Sequence, residues 1–111
     1  MRLSHVHINV QNFEAVVSWF ENTAGLKPSF QNDRMASIPA DSISLIVDRS
    51  DEDSTATIAF ESNNCDLDYK TLLSRGAIAI SAPEDQPWGV RAAYIKGPGR
   101  LTIEVEQPLT E

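Results

Sequence analysis

The chain has 111 residues, of which 41% are hydrophobic and 23% charged, and this length suits one domain with a single core. Nine Lys and Arg against sixteen Asp and Glu give a net charge of -7, which disfavours binding to nucleic-acid phosphates or anionic membranes. The single cysteine, Cys65, excludes an intrachain disulfide and a multi-cysteine zinc site. With neither a membrane-length apolar run nor a signal-peptide pattern, we expect a cytoplasmic domain spanning residues 1–111.

The first half of the chain predicts one strand, one helix and then three strands. Residues 3–10 alternate between polar and apolar positions, as a half-buried strand does. One face of this strand carries Leu3, His5, His7 and Asn9. A helix then begins after the N-cap Asn12 and ends near Gly25. The three strands that follow are expected at about residues 26–31, 34–38 and 43–48.

The second half repeats this order. A strand at residues 55–61 precedes a helix that Asp66 or a neighbour caps and that Gly76 ends. Further strands are expected at about residues 77–81, 89–96 and 100–106, and residues 108–111 are expected to fray. Similar segments in the two halves, such as 39–46 and 98–105, indicate duplicated modules at about residues 1–50 and 53–108.

This duplication predicts an α+β fold of two tandem βαβββ modules. Neither unit of about fifty residues can bury its sheet alone, so the two should form a curved mixed sheet, a half-barrel cup. The helices would cover the back of the sheet and the front would line a cavity. Small and polar side chains at the front positions leave room for a ligand. They are His5, His7, Asn9, Thr57, Ala59, Tyr94 and Glu104.

The element order and several segments resemble the vicinal oxygen chelate superfamily, which contains glyoxalase I, extradiol dioxygenases, fosfomycin-resistance thiol transferases and bleomycin-resistance proteins. The resemblance covers essentially the whole chain, and the segments that carry it are residues 2–10, 15–26, 87–91 and 97–104. The resemblance implies a homodimer with its sites near the subunit interface. It specifies no reaction, because this fold hosts many unrelated activities.

The resemblance also raises the question of a metal. Chelating members hold one divalent ion from four strands, at points that map here to His5, Leu45, Thr57 and Glu104. Only His5 and Glu104 are of a ligand type, whereas a catalytic site usually has three protein ligands. His7 could help only if two rings spaced about 6.6 Å along a strand leaned together. We therefore expect no cofactor, with one Zn, Ni, Fe or Mn ion as the alternative, and His5 with Glu104 could instead be a hydrogen-bonded pair across neighbouring strands.

Several side chains are candidates for contacting an organic ligand: His7, Asn9, Thr57, Trp88, Arg91 and Tyr94. The resemblance places His7 and Tyr94 where resistance proteins touch their drug. Trp88 lies in a loop that could cover a pocket, or it could pack in the hairpin or the dimer. Arg91 could bind an anionic ligand or pair with one of the acidic residues.

Three functions remain open. The first is a small-molecule-binding protein that sequesters an organic ligand or drug in a cup at the dimer interface, without a complete metal site. The second is a divalent-metal-dependent lyase, isomerase or dioxygenase that uses His5 and Glu104. The third is a metal-free enzyme in which Glu104, with His5 or His7, moves a proton.

Overall fold

The computed structural model describes residues 1–109 and shows an α+β fold in which one element order occurs twice. Module 1 (Met1–Ser54) contains one strand, one helix and three strands: β1 (His5–Val10), α1 (Phe13–Asn22), β2 (Phe30–Gln31), β3 (Met35–Ala40) and β4 (Ile43–Arg49). Module 2, which starts at Thr55, repeats this order: β5 (Thr55–Glu61), α2 (Cys65–Ser74), β6 (Ala79–Asp85), β7 (Val90–Lys96) and β8 (Arg100–Pro108). The two predicted βαβββ modules are confirmed.

Each module builds its own four-stranded mixed sheet. The strand orders are β1-β4-β3-β2 and β5-β8-β7-β6. In both sheets the first strand pairs in parallel with the last, and the remaining pairs are antiparallel. A strand that returns in parallel needs a crossover connection, and in each module the helix lies within that connection.

The core of module 1 lies between α1 and the back of its sheet. Helical spacing brings the apolar residues of α1 onto one face. This face buries Phe13, Val16, Val17 and Phe20. The sheet contributes alternate residues of β1, β3 and β4, because residues opposite one another in a ladder point to the same side. They include Ile8, Val10, Ala36, Ile38, Leu45 and Val47, all buried.

Helix α2 contributes fewer buried residues to the core of module 2 than α1 contributes to the core of module 1. Cys65 is the one buried residue of α2, and it packs with Ala93 and Val105. Tyr69 and Leu72 are partly buried against the same cluster. Leu67 of the same helix is 58% exposed.

Three predicted boundaries differ from the structure. Strand β2 has two residues, and β3 continues through Pro39 to Ala40. The backbone nitrogen of Pro39 faces the same side of β3 as the carbonyl of Ser37, which is the side of β2. Strand β2 ends before it reaches Pro39. The N–H that proline lacks would therefore have no hydrogen-bond partner in the sheet. Strand β6 runs to Asp85 with two register shifts. Bulges of this kind cannot be read from alternation.

The ends of α1 and β8 also differ from the sequence-based expectation. Helix α1 stops at Asn22, three residues before Gly25, which has a positive φ of 76°. Pro108, expected to fray, closes β8, whereas residues 110 and 111 of the expected frayed end lie outside the described residues. Neither helix within residues 1–109 has the length and apolar character that a membrane crossing requires.

Candidate functional site

The front face of module 1 carries the residues that the alternation predicted. In the parallel ladder, His5 lies opposite Ser44 and His7 opposite Ile46. Asn9 lies opposite Asp48 in the next row. His5, His7 and Asn9 are all exposed, so the predicted polar front of β1 is confirmed.

The two histidines on this face are close to each other and each has a partner at Nδ1. His7 Nδ1 lies 2.7 Å from Oδ2 of Asp48. His5 Nδ1 lies 3.0 Å from the hydroxyl oxygen of Ser4. The ring centroids are 5.1 Å apart and the planes meet at 70°, edge to face. A carboxylate at Nδ1 of His7 favours the tautomer whose lone pair is on Nε2.

The register corrects one position of the expected chelate. Leu45 lies opposite Val6 and is buried, so it belongs to the helix-facing side of the sheet and not to the face of His5. The mapped points match His5 with Thr57, so His7 corresponds to Ala59 on the same strands. Ala59 lies opposite Glu104, and His7 lies opposite Ile46. The residue of module 1 equivalent to Glu104 is therefore Ile46. It offers no metal-binding atom either.

The front face of module 2 carries a different set of groups. In one row across the sheet lie Ala59, Glu104 and Tyr94, since Glu104 is opposite Ala59 on one side and Tyr94 on the other. Thr57 lies one row away, opposite Thr102. The prediction that Thr57, Ala59, Tyr94 and Glu104 share one face of their sheet is confirmed.

Glu104 is the central ionisable group of this face. Tyr94 donates a hydrogen bond to it, and the carboxylate of Glu106 lies nearby, two residues along β8 on the same face. Burial and then the neighbouring negative charge of Glu106 raise the pKa of Glu104, while the Tyr94 hydrogen bond opposes them. Burial and the charge of Glu104 also raise the pKa of Tyr94, so its phenol stays protonated and donates. Glu106 is thus part of the same group.

Arg91 is bound to acidic residues in the structure. It lies opposite Gln107, on the side of β7 that does not carry Tyr94. Its guanidinium donates to both carboxylate oxygens of Asp66, at 2.8 and 3.0 Å, and to Asp85 at 3.0 Å. The hydrogen bonds to Asp66 and Asp85 raise the pKa of Arg91 further above its usual value. Of the two alternatives, pairing with acidic residues is the one found, and contact of Arg91 with a ligand stays a prediction.

Trp88 lies in the tight turn between β6 and β7 and is 62% exposed. The turn is closed by Gln86 N–H donating to the carbonyl of Val90 at 2.7 Å. Gly89 follows with a positive φ of 92°, which favours glycine. The indole is therefore presented to solvent, and its role as a cover for a ligand stays a prediction.

The surroundings of Cys65 disfavour the thiolate form of its side chain. The residue is buried, and its thiol donates to the carbonyl of Val105 at 3.3 Å. Burial raises the pKa of the Cys65 thiol. Because the thiolate is the reactive form, this thiol is inert at neutral pH.

Of the four points mapped for a chelated ion, only His5 and Glu104 are of a ligand type. Strand β8 pairs with β5 and β7, and β1 pairs with β4, so each of these two residues has its ladder partners within its own module. Throughout residues 1–109, no three His, Cys, Asp or Glu side chains are grouped in a way that could hold a metal ion. We derive no chemical step through a chelated ion.

Sequence reasoning missed Asp48. Parallel pairing between β1 and β4 brings it beside His7, and the register of a parallel pair is not encoded in alternation alone. A signal was present in β4, where the polar residues Ser44 and Asp48 occupy one face of the strand and the buried residues Leu45 and Val47 the other.

One concavity lies away from all predicted site residues. It has a volume of about 740 Å³ and is formed by Gln11, Asp33, Arg34, Arg49, Ser50 and Asp51. Arg49 is already engaged there, with Oε1 of Glu14 at 2.6 Å and the carbonyl of Asp33 at 2.7 Å. This broad polar hollow lacks the apolar lining of a small-molecule pocket.

Comparison with known proteins gives one family and many similar structures. Residues 2–105 match the family described as Glyoxalase/Bleomycin resistance protein/Dioxygenase superfamily. A glyoxalase/bleomycin resistance protein/dioxygenase from Nocardioides is 20% identical with a TM-score of 0.83, covering 98% of this chain and 84% of that one. TnmS3, an antibiotic binding protein from Streptomyces sp. CB03234, is 18% identical with a TM-score of 0.83, covering 97% and 96%. Lactoylglutathione lyase from Agrobacterium tumefaciens is 11% identical with a TM-score of 0.81, covering 96% and 92%.

At these identities the structures establish a shared fold and no shared activity. Curated protein sequences include no match to this chain.

Proposed function

We propose a function on the premise that the chain belongs to the Glyoxalase/Bleomycin resistance protein/Dioxygenase superfamily, as its match over residues 2–105 shows. The protein binds a small organic molecule and sequesters it without chemical change. The observation that carries this proposal is the group of Tyr94, Glu104 and Glu106 on the open face of module 2. TnmS3, an antibiotic binding protein, has a similar fold and supports this class of ligand.

The chemistry of the Glu104 group favours a cationic, aromatic ligand. A cation near Glu104 and Glu106 would relieve the repulsion between the two carboxylates that raises the pKa of Glu104. The ring of Tyr94, in the same row, offers a flat surface on which an aromatic ligand can stack. Ala59 on the other side of Glu104 has a short side chain and leaves room. The exposed indole of Trp88 is a second aromatic surface on this module.

A binding titration tests the proposal. Proflavine, a planar monocation, and bleomycin are titrated into the purified chain by calorimetry and by fluorescence. Glu104→Gln keeps the shape of the side chain and removes its charge, so we expect proflavine affinity to fall about tenfold, as for the loss of one charge-assisted contact. Glu21→Gln, at an exposed position of α1, is the matched control and should bind as the original chain does.

Two results would overturn this proposal. One is the absence of binding heat for either cation at millimolar concentration. The other is equal affinity in Glu104→Gln and the unchanged chain. Fluorescein, an aromatic anion, should bind the original chain more weakly than proflavine does, which separates charge recognition from nonspecific stacking.

The alternative function is a divalent-metal-dependent lyase, isomerase or dioxygenase using His5 and Glu104. Two residues of a ligand type, His5 and Glu104, are present in the chain, and a lactoylglutathione lyase has a similar fold. These two observations support an assay for this activity. Turnover of the hemithioacetal of methylglyoxal and glutathione, or of catechol, is measured with added Zn, Ni, Fe and Mn. Metal-dependent turnover that Glu104→Gln abolishes would favour this alternative over sequestration.

We retain a homodimer as part of the proposal, with the ligand held near the subunit interface. Light scattering coupled to size-exclusion chromatography gives the mass in solution. A mass near twice 12.2 kDa is expected, and a mass of one chain would remove the interface from the proposal.

A further inference from the structure

We propose that His5 and His7 form a two-nitrogen site for an exchangeable divalent transition-metal ion on the front face of module 1, with Asp48 orienting His7. This site differs from the chelate implied by the family, because it uses neither Glu104 nor any residue of module 2. It does not rest on the proposed binding of an organic molecule.

The first argument is the approach of the two rings. Side chains at positions i and i+2 of a strand point the same way and are about 6.6 Å apart along it. The ring centroids of His5 and His7 are 5.1 Å apart. The two imidazoles therefore lie closer together than the strand spacing alone would place them, and shared binding of one ion requires such an approach.

The second argument concerns the nitrogen atoms that remain available. Asp48 accepts from Nδ1 of His7 at 2.7 Å, and the Ser4 hydroxyl lies 3.0 Å from Nδ1 of His5. No hydrogen bond to Nε2 of either ring is formed by the residues that the structure describes. A carboxylate bound to the outer nitrogen is the usual support of a metal-binding histidine, since it fixes the tautomer and increases the basicity of the ligand.

The third argument is access and the choice of ion. The side chain of His7 is 57% exposed, so an ion can reach the pair and leave it. Two imidazoles leave the remaining coordination positions to water, which makes the site exchangeable. Imidazole suits Cu²⁺, Ni²⁺ and Zn²⁺, and the general affinity order places Cu²⁺ highest. The net charge of -7 attracts any cation to the chain.

The test uses Cu²⁺ alone, added to tag-free full-length chain. We expect one ion per chain by calorimetry and an electron paramagnetic resonance spectrum with splitting from two nitrogen atoms. His7→Ala and His5→Ala should each remove the stoichiometric ion. Asp48→Asn keeps the size of the side chain and should weaken binding about tenfold or more, the range found when the carboxylate behind a histidine ligand is lost.

Asp51→Asn is the matched control, because it removes an exposed acidic charge of the same module without touching His7. It should leave Cu²⁺ affinity unchanged. Equal weakening in Asp48→Asn and Asp51→Asn would show general charge attraction only, and would overturn the site. Stoichiometric Cu²⁺ that persists in His7→Ala, or its absence from the original chain, would overturn it as well.

Two further measurements guard against misfolding and keep the proposals separate. His7→Gln, with far-ultraviolet circular dichroism, repeats the His7 test in a side chain that stays polar and of similar size. It should be folded and should not bind the ion, and a folded variant that binds Cu²⁺ as the original chain does would overturn the site. Proflavine binding should be unchanged in His7→Ala, so failure of the metal site and failure of the organic-ligand site are distinguishable.

Discussion

Helix α1 of module 1 and helix α2 of module 2 occupy the same place in the element order, but different interactions hold them. Helix α1 buries four apolar residues that are at most 4% exposed: Phe13, Val16, Val17 and Phe20. Helix α2 buries only Cys65 fully, with Tyr69 and Leu72 partly covered. Apolar burial is the larger and less directional of the available stabilising effects, so α1 depends on packing far more than α2 does.

Polar contacts at its first turn hold α2 instead. The Asn64 side chain accepts from Leu67 N–H at 3.1 Å, and Gln107 accepts from Cys65 N–H at 2.8 Å. Asp66 is bound to Arg91 from β7 by two hydrogen bonds. The comparison shows that one topology can be stabilised by packing in one copy and by directional bonds in the other.

The front faces of the two modules also carry different ionisable side chains. Module 1 presents imidazoles supported by a carboxylate, and module 2 presents carboxylates with a phenol. The two proposals therefore assign different ligands to the two faces, a transition-metal ion to the first and an organic cation to the second. Substitutions in the two modules test how far this division extends.

The largest expected effect is the loss of packing in α1. Phe20 is fully buried, and Phe20→Ala should lower the free energy of unfolding by about 3–5 kcal/mol. Leu67→Ala in α2 removes a side chain that is 58% exposed and should change it by less than about 0.5 kcal/mol. Urea unfolding followed by circular dichroism measures both. Similar losses in the two variants would mean that α2 is packed as tightly as α1.

The helix N-termini provide the second test. Asn64 caps α2 with its side chain, and Asn64→Ala should cost about 1 kcal/mol. Asn12 occupies the same position of α1 but its side chain makes no capping hydrogen bond, so Asn12→Ala should cost less than about 0.5 kcal/mol. The same urea titration compares them. A larger loss in Asn12→Ala would contradict the division between packing and polar contacts.

The Asn pair also shows how far the sequence could predict the structure. Asn12 and the apolar spacing behind it located α1 correctly, because helix starts and amphipathic periodicity are local signals. The sequence did not show which of the two Asn side chains would form a capping hydrogen bond, since that bond depends on the backbone angles of the cap residue. Asn12 has a φ of -94° and a ψ of 74°, whereas Asn64 is extended and can reach Leu67.

The candidate site was harder to predict because it depends on register. Alternation identified the faces of β1 and β5, so His5, His7 and Thr57 were placed correctly within their strands. The position of Leu45 was off by one residue, which moves a side chain to the opposite face of a sheet. For Arg91, the pairing of β7 with β8 shows that it lies on the side of β7 that does not carry Tyr94, and alternation within β7 alone does not show which side faces the helix.

The smallest expected effect is a pH dependence of opposite sign in the two modules. The folded state raises the pKa of Glu104 and so binds its proton more tightly than the unfolded chain does. The stabilisation linked to this proton is full below the ordinary value of 4.5 and is lost as pH rises through the raised value. Glu104→Gln should therefore be slightly more stable than the original chain at pH 7, by about 0.5 kcal/mol or less, and the gain should shrink toward pH 4.

Glu14 in module 1 provides the contrast. Arg49 donates to it and lowers its pKa, so the stabilisation is present above the ordinary value and is lost as pH falls through the lowered one. Glu14→Gln should be less stable than the original chain at pH 7, and this difference should vanish in acid. Melting temperatures of both variants at several pH values between 3 and 8 give the two slopes. If Glu104→Gln were destabilised at pH 7 as Glu14→Gln is, its carboxylate would be held by a favourable partner, and the repulsion that recommends Glu104 as a binder of cations would be absent.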